Sequence, residues 1–279
     1  MTSAPDTLFG RRYTLNVGGV QITKLRVAFK VKKTLTKEPN TAEIRVFNLA
    51  ESTRRKLQGK GVSTVLSAGY EGNEAVIFSG DSRFIDHTRE GPNWITKIRC
   101  GDGERAYQFQ RFNASFGPGT SIADVIQASA NALGLNTGNL NDALALPFKG
   151  GRTVFRNGFS ANGDAVDVLE KLLRGAGFSL SVQNGALQVL QGGAAVPTSA
   201  VLLSPDTGLV GSPEMGSPEK KGATPRVKAK ALLQARIRCG GVVELRSENF
   251  KGQFRVETVE HTGDTDGAEW YTETELKPI

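Results

Sequence analysis

Residues Lys24-Leu-Arg-Val-Ala-Phe-Lys-Val-Lys32 alternate, with Leu25, Val27, Phe29 and Val31 apolar and Lys24, Arg26, Ala28, Lys30 and Lys32 between them. A period of two over this length marks a strand with one buried and one solvated face. After Pro39-Asn40 the pattern restarts, with Ala42, Ile44 and Val46 on one side and Glu43, Arg45 and Phe47 on the other. Further strands are expected at 64–70, 75–85 and 93–100, punctuated by Gly72-Asn73 and Gly91-Pro-Asn93. Leu49, Thr53 and Leu57 around Glu51-Ser-Thr-Arg-Arg-Lys56 predict one short helix, stopped by Gly59 and Gly61. Several strands and one short helix in about 100 residues point to a small closed or nearly closed β-barrel.

Beyond residue 110 the period changes. After Gly117-Pro-Gly119, Ser121 and Asp124 make a start like a capping box. Ile122, Val125, Ile126, Ser129, Ala130 and Leu133 then share a helical face closed by Gly134. A second helix carries Ala165, Val168, Leu169, Leu172 and Leu173, entered from Ser160 or Asn162 and ended at Gly175. Strands at 178–182 and 186–190 flank Asn184-Gly185, the strongest short hairpin signal a sequence offers. Residues 191–225 are rich in Gly, Ser and Pro, with Gly-Ser-Pro-Glu at 211–214 and again within 216–221. They read as a loop or linker, with a short apolar patch at 200–203 able to pair as a strand. Strands return at 227–233, 242–247, 253–261 and 270–276. The order is β, then α+β, then β, over segments 1–110, 111–195 and 196–279.

The 279 residues fit two domains or one large one, and 38% hydrophobic content is lean, favouring small β-rich units. No apolar run approaches the roughly 18–20 residues of a membrane span. Met1-Thr-Ser-Ala-Pro-Asp6 lacks the basic and apolar stretches of a secretion signal. Cys100 and Cys239 cannot make a disulfide framework or a four-cysteine zinc site, and read as buried, reduced thiols. The net charge of +7 is unevenly placed: residues 1–110 hold 18 Lys and Arg against 11 Asp and Glu, while the rest is balanced. A general nucleic-acid coat is not implied.

Catalytic readings fail one by one. His87 and His261 are the only histidines, each alone in its stretch, so no metal-hydrolase ligand set exists. Glycoside hydrolysis needs two carboxylates marked out by a cleft, and none are. Gly117-Pro-Gly119 lacks the Gly-Lys-Ser/Thr ending of a phosphate cradle, and Pro118 removes a donor. Asp264-Thr-Asp266-Gly267 opens like a calcium loop, but Glu269 comes too early to complete it. No cofactor and no metal are expected. The remaining candidate is the basic face of Lys24, Arg26, Lys30 and Lys32, which reads as a solvated face or as an electrostatic contact surface. No aromatic residues interleave with these lysines, which weakens a single-strand binding groove.

Two stretches carry a resemblance. The first runs from Ile22-Thr-Lys-Leu-Arg-Val to Val46-Phe-Asn-Leu49, followed by Ala68-Gly-Tyr-Glu-Gly72 and Ile77-Phe-Ser-Gly-Asp81; the second is Gly252-Gln-Phe-Arg-Val-Glu-Thr-Val-Glu-His-Thr-Gly-Asp264 with Glu269-Trp-Tyr-Thr-Glu273. Together they resemble the baseplate hub (tail-tip hub) proteins of tailed bacteriophages. The resemblance implies a β-rich α+β fold of two small tail-tube-like β-barrels separated by an α+β hub region. It implies a homotrimer in the virion that adapts a sixfold tail tube to a threefold spike and lines the channel. Its partners would be the tail tube or distal tail ring protein, the spike or tail-tip protein, baseplate subunits and the tape-measure protein, with DNA only in transit. A trimer of chains with two similar barrels presents six quasi-equivalent barrels on one side and three chains on the other, so the symmetries match. A ring of cations around passing DNA would retard it, so the basic face is expected to meet acidic groups of a neighbouring subunit. The competing classes are a tail-associated cell-wall hydrolase and a basic nucleic-acid-binding protein.

Overall fold

The computed structural model describes residues 8–216 and 225–279. Two compact units emerge: residues up to Thr34 with Asn40–Gly101 and Ala195–Ile279, and Leu35–Pro39 with Asp102–Ala194. Most of the second Gly-Ser-Pro-Glu repeat, beyond Gly216, lies outside the described residues.

The first unit opens with β1 (Arg11–Val17), β2 (Val20–Ile22), β3 (Val27–Thr34), β4 (Thr41–Phe47), α1 (Glu51–Lys56), β5 (Ser63–Tyr70), β6 (Asn73–Glu90) and β7 (Asn93–Gly101). Antiparallel ladders run in the order β3-β4-β7-β6-β5-β1-β2. The alternation acts as expected: Val27, Phe29 and Val31 are buried with Ala42, Ile44 and Val46. The strand begins at Val27, however, because 23–26 form the bend that joins β2 to β3. No residue of α1 is buried; the helix is held by its flanks, Leu49 and Leu57, which are. The β1–β2 hairpin carries little periodic signal, since only Leu15, Val17 and Ile22 turn inward.

The second unit follows, with α2 (Glu104–Phe109), β8 (Arg111–Phe116), β9 (Thr120–Ser121), α3 (Ile122–Ala132), α4 (Leu140–Leu144), β10 (Val154–Phe155), β11 (Phe159–Asp164), α5 (Ala165–Ala176), β12 (Phe178–Gln183) and β13 (Ala186–Gln191). Helix α3 buries Val125, Ile126 and Ala130, and Leu133 after it, while Ile122 is half-buried. Its start differs from the expected capping box. Ser121 makes no side-chain cap; it pairs in β9, and the carbonyl of Thr153 accepts the Ile122 N–H at 2.9 Å. Helix α5 runs through Gly175 and stops at Gly177, whose φ of 95° only glycine adopts readily. It is entered from Asp164, since Ser160 and Asn162 belong to β11.

The hairpin turn forms as its sequence asks, with Asn184 at φ 55° and Gly185 at φ 78°. What fixes it is remote in sequence. The fully buried carboxylate of Asp102 accepts the N–H of Asn184 at 2.6 Å and that of Gly185 at 2.7 Å. Asp102→Ala should therefore cost about 2–3 kcal/mol in urea unfolding, because two half-buried donors lose a charged acceptor. A loss under about 0.5 kcal/mol, the size of an ordinary surface change, would refute that role.

The last strands return to the first unit: β14 (Val201–Leu203), β15 (Leu209–Met215), β16 (Val227–Leu232), β17 (Val242–Arg246), β18 (Lys251–Asp264) and β19 (Trp270–Pro278). The patch at 200–203 does pair, as β14 parallel to β17. The first Gly-Ser-Pro-Glu is strand rather than loop: β15 is the sheet's terminal strand, and its register slips between Val210 and Glu214, around Pro213. An edge position and an irregular ladder are where a strand tolerates proline.

Strand β18 unites the halves. Its first part pairs with β17, its second with β3, and β19 lies along its other side. The ladders therefore trace one open sheet of 13 strands, ordered β15-β16-β19-β18-β3-β4-β7-β6-β5-β1-β2, with β14 and β17 branching from β18. No closed ring is traced among the described residues. The fold is β-rich α+β. At the join, Trp270 meets Phe29 edge-on with ring centroids 5.4 Å apart. Gly263 lies against both rings, and a Cβ there would stand 2.4 Å from Phe29.

Candidate functional site

The basic face divides in two. Lys24 stands in the bend before β3, and Arg26 immediately precedes the strand; Lys30 and Lys32 share its outer face. Arg26 binds Asp264 through two nitrogens, Nε at 3.1 Å and Nη2 at 2.7 Å, and lies over the Phe47 ring at 4.6 Å. The Arg26 guanidinium holds the Asp264 carboxyl below the usual carboxylate range. Lys30 meets Glu260 at 2.7 Å, and that contact raises the ammonium's pKa. Lys24 and Lys32 make no ion pair among the described residues. So two of the four cations are matched by carboxylates of β18, in the same chain.

The ladders continue this pattern across the sheet. Lys230 faces Glu273, Glu273 faces Glu260, and Glu260 faces Lys32. Lys30 faces Glu43, Glu43 faces Arg99, and Arg99 faces Phe84. Like charges directly opposite each other destabilise a sheet, yet Glu260 and Glu273 each have a lysine on the far flank, Lys30 at 2.7 Å and Lys230 at 2.9 Å. These two carboxylates lie on a sheet face and are neutralised by lysines, so they do not form the paired acid and base of a hydrolase. What the row can do is steer and register a charged partner.

Behind the row, the alternation carries one more residue inward. Lys33 is buried, and it faces Val259 across the β3–β18 ladder. His261 on β18 is also buried; Thr272 Oγ1 accepts the Gln234 N–H and is hydrogen-bonded to His261 Nδ1 at 2.9 Å. Burial, with Lys33 adding to it, lowers the imidazole's pKa to about 3. Burial also pushes the Cys239 thiol up to about 12 and Cys100 to about 11, which makes poor nucleophiles. His87 is half-buried and far from this cluster in sequence; Nε2 donates to the Leu57 carbonyl and Nδ1 accepts from Thr96, both at 3.0 Å. It fastens α1 to the β6–β7 hairpin.

The calcium-like turn is occupied by arginines. Arg11 donates to the carbonyls of Asp264, Gly267 and Ala268 while Arg26 takes the Asp264 carboxylate, so a guanidinium sits among the oxygens a cation would need. Among the described residues, no group of three or more His, Cys, Asp or Glu could hold a metal ion. No helix among them is long and apolar enough to cross a membrane.

Sequence reasoning missed a second polar surface. β8 and β11 pair so that Phe116 faces Phe159, Ser115 faces Ser160, Ala114 faces Ala161 and Asn113 faces Asn162. The signal was present as an inverted repeat, Phe112-Asn-Ala-Ser-Phe116 against Phe159-Ser-Ala-Asn162. Antiparallel pairing sets equal residues opposite each other, which leaves an exposed face of amides and hydroxyls ending at the Arg111–Asp164 ion pair.

No protein-family model matches this sequence, and no curated protein does. Solved structures resemble it in fold along nearly the whole chain. A 43 kDa tail protein of prophage MuSo2 from Shewanella oneidensis aligns with a TM-score of 0.66 at 8% identity, covering 96% of this chain and 97% of that one. A tail protein from Neisseria meningitidis MC58 aligns at 0.65 and 10% identity, with 96% and 97% coverage. An E. coli component of the type VI secretion system, described as similar to the T4 bacteriophage tail proteins gp27 and gp5, aligns at 0.61 and 10% identity, covering 95% and 76%. The chain thus has the fold of phage tail proteins, a fold shared with secretion machinery.

Proposed function

We propose that this protein is a structural tail component acting as a baseplate or tail-tip hub, without enzymatic activity. In this reading it is a homotrimer joining a sixfold tail tube to a threefold spike, with the channel for tape measure and DNA along its axis. Segments 1–110 and 196–279 would be its two tube-like barrels, and 111–195 its hub domain. The observation that carries the reading is the single sheet in which the first and last segments meet through β3 and β18. Such a sheet lets one chain offer two strand-rich modules to one ring. The likeness to tail proteins over the whole chain supports it. Light scattering tests the assembly: a mass of three chains is expected, and a monomer at micromolar concentration would reject the hub. Labelling the chain in a particle image tests its place.

The contact role of the basic face falls to Lys24 and Lys32, because Arg26 and Lys30 are engaged by Asp264 and Glu260. Reversing both to Glu should slow addition to preformed tubes about tenfold at low salt and flatten the salt dependence, leaving the trimer intact. Normal assembly with an altered rate of DNA ejection would instead put these lysines in the channel.

A further inference from the structure

The β8–β11 ribbon is left open on both sides. Among the described residues each strand pairs only with the other, so neither outer edge has a ladder partner. Phe112, Ala114, Phe116, Phe159 and Ala161 pack on the core of the second unit, while Asn113, Ser115, Ser160 and Asn162 face solvent. An unpaired edge is a template for another strand, and proteins that must stay apart block it with proline, lysine, brevity or a bulge. Other edges of this chain are blocked. Asn139 occupies the outer edge of β13, its Oδ1 accepting the Val189 N–H and its Nδ2 donating to the Val189 carbonyl, both at 2.8 Å. β15 carries Pro213 and a slipped ladder, and β2 and β14 have three residues each. By contrast, β8 and β11 have six residues each, an unbroken register, and neither lysine nor proline. Their charges, Arg111 and Asp164, sit at one end and pair with each other.

We propose that this ribbon continues into a second copy of the chain, the free edge of β11 pairing antiparallel with the free edge of β8 on its neighbour. The inverted repeat selects that occupant. The neighbour's β8 offers β11 the same residues in the same order as its own β8 does. Ser can again face Ser, Ala face Ala and Asn face Asn, a set of pairs the chain already makes within itself. The alternation agrees: the apolar side of each ribbon turns to its own core, and the polar sides form one surface. A slip of one pleat repeat, the stagger that a closed ring needs, still keeps polar opposite polar. Because a β11 edge meets a β8 edge, the contact is head-to-tail and closes as a ring, not as a two-fold pair. Three copies make that ring six-stranded; only this count rests on the hub reading. The helical core lies behind the apolar side, so it stands outside the ring and the amides and hydroxyls turn to the axis. Side chains just fill a barrel of about eight strands, so a six-stranded ring shuts the axis at this level until its edges part.

The test uses the full chain. Ser115→Cys and Ser160→Cys are made in separate chains, both at exposed positions, while the native Cys100 and Cys239 are buried. Mild oxidation of the mixture should give a cross-linked dimer about tenfold above either chain alone. A slipped edge would shift the cross-link to Asn113→Cys as the partner of Ser160→Cys. Ser160→Lys with Asn162→Lys should raise about tenfold the concentration at which half the chains assemble, with far-ultraviolet circular dichroism unchanged. Trimers that persist with both lysines and give no mixed cross-link overturn the ribbon contact and leave the hub standing. A mixed cross-link in particles of two chains, or in open filaments, keeps the ribbon contact and removes the threefold hub. Monomers that give no cross-link remove both.

Discussion

Ile126→Asp should unfold the second unit, with a loss of about 5 kcal/mol in urea titration. Ile126 has no exposed surface and lies in the core that α3 and α5 form with the β12–β13 hairpin. Removing its branched chain costs roughly 2–4 kcal/mol, and the new carboxylate must be buried unpaired or take up a proton. The total is comparable with the roughly 5–15 kcal/mol that holds a whole domain together. Ile122→Asp, on the same helix but half-buried, should cost much less. Equal losses at both positions would mean that the helix buries a different face.

Acid should weaken the first unit through His261. The unfolded chain takes up a proton at this imidazole near pH 6.5, whereas the folded chain resists it until about pH 3. A depressed folded value means that the stabilisation is complete above pH 6.5 and fades as pH falls toward 3, where both states are charged. The decline is roughly 1.4 kcal/mol per pH unit at most, or about 4–5 kcal/mol over the whole window. His261→Gln cannot titrate, yet its amide oxygen can still accept from Thr272. Between pH 7 and pH 5 the wild type should lose about 2 kcal/mol relative to that variant, in a range where few carboxylates titrate. Parallel stability curves would show that His261 is hydrated or charged in the fold. The cost arises because the charged ring loses its hydration in the core and sets a second cation near Lys33.

Much of the local structure was legible. Val27, Phe29 and Val31 against Lys30 and Lys32 declare their faces by a period of two, and α5 declares its own by Leu169, Leu172 and Leu173. Asn184-Gly185 names its turn because both positions need positive φ. The errors fall where a local signal competes with a distant partner. Gly175 looked like a helix end, but burial of Leu172, Leu173 and Ala176 carries α5 past it to Ala176, with the cap at Gly177. Ser121 looked like a cap, but its backbone was already claimed by Val154. Pro213 looked like loop, but an irregular ladder to β16 admits it.

The candidate site was half legible for the same reason. That Lys30 and Lys32 point outward follows from parity alone, and the same parity puts Lys33 inside. That Lys30 and Arg26 are spoken for does not follow, because their partners Glu260 and Asp264 lie more than 200 residues away. Nor could the slip of the β6–β7 ladder at Arg83 be read, since it is a relation between two strands and not a property of either.

By itself the sequence determined the strongly periodic strands and helices, the Asn184-Gly185 turn, and which side of each turns inward, because periodicity and backbone preference act within a few residues. Only the tertiary structure decided that β18 joins β3, so that the end strands share one sheet. It alone decided which cations of the basic face are met by carboxylates of β18. Those outcomes depend on which surfaces fit each other across the whole chain, and a local pattern holds no record of that choice.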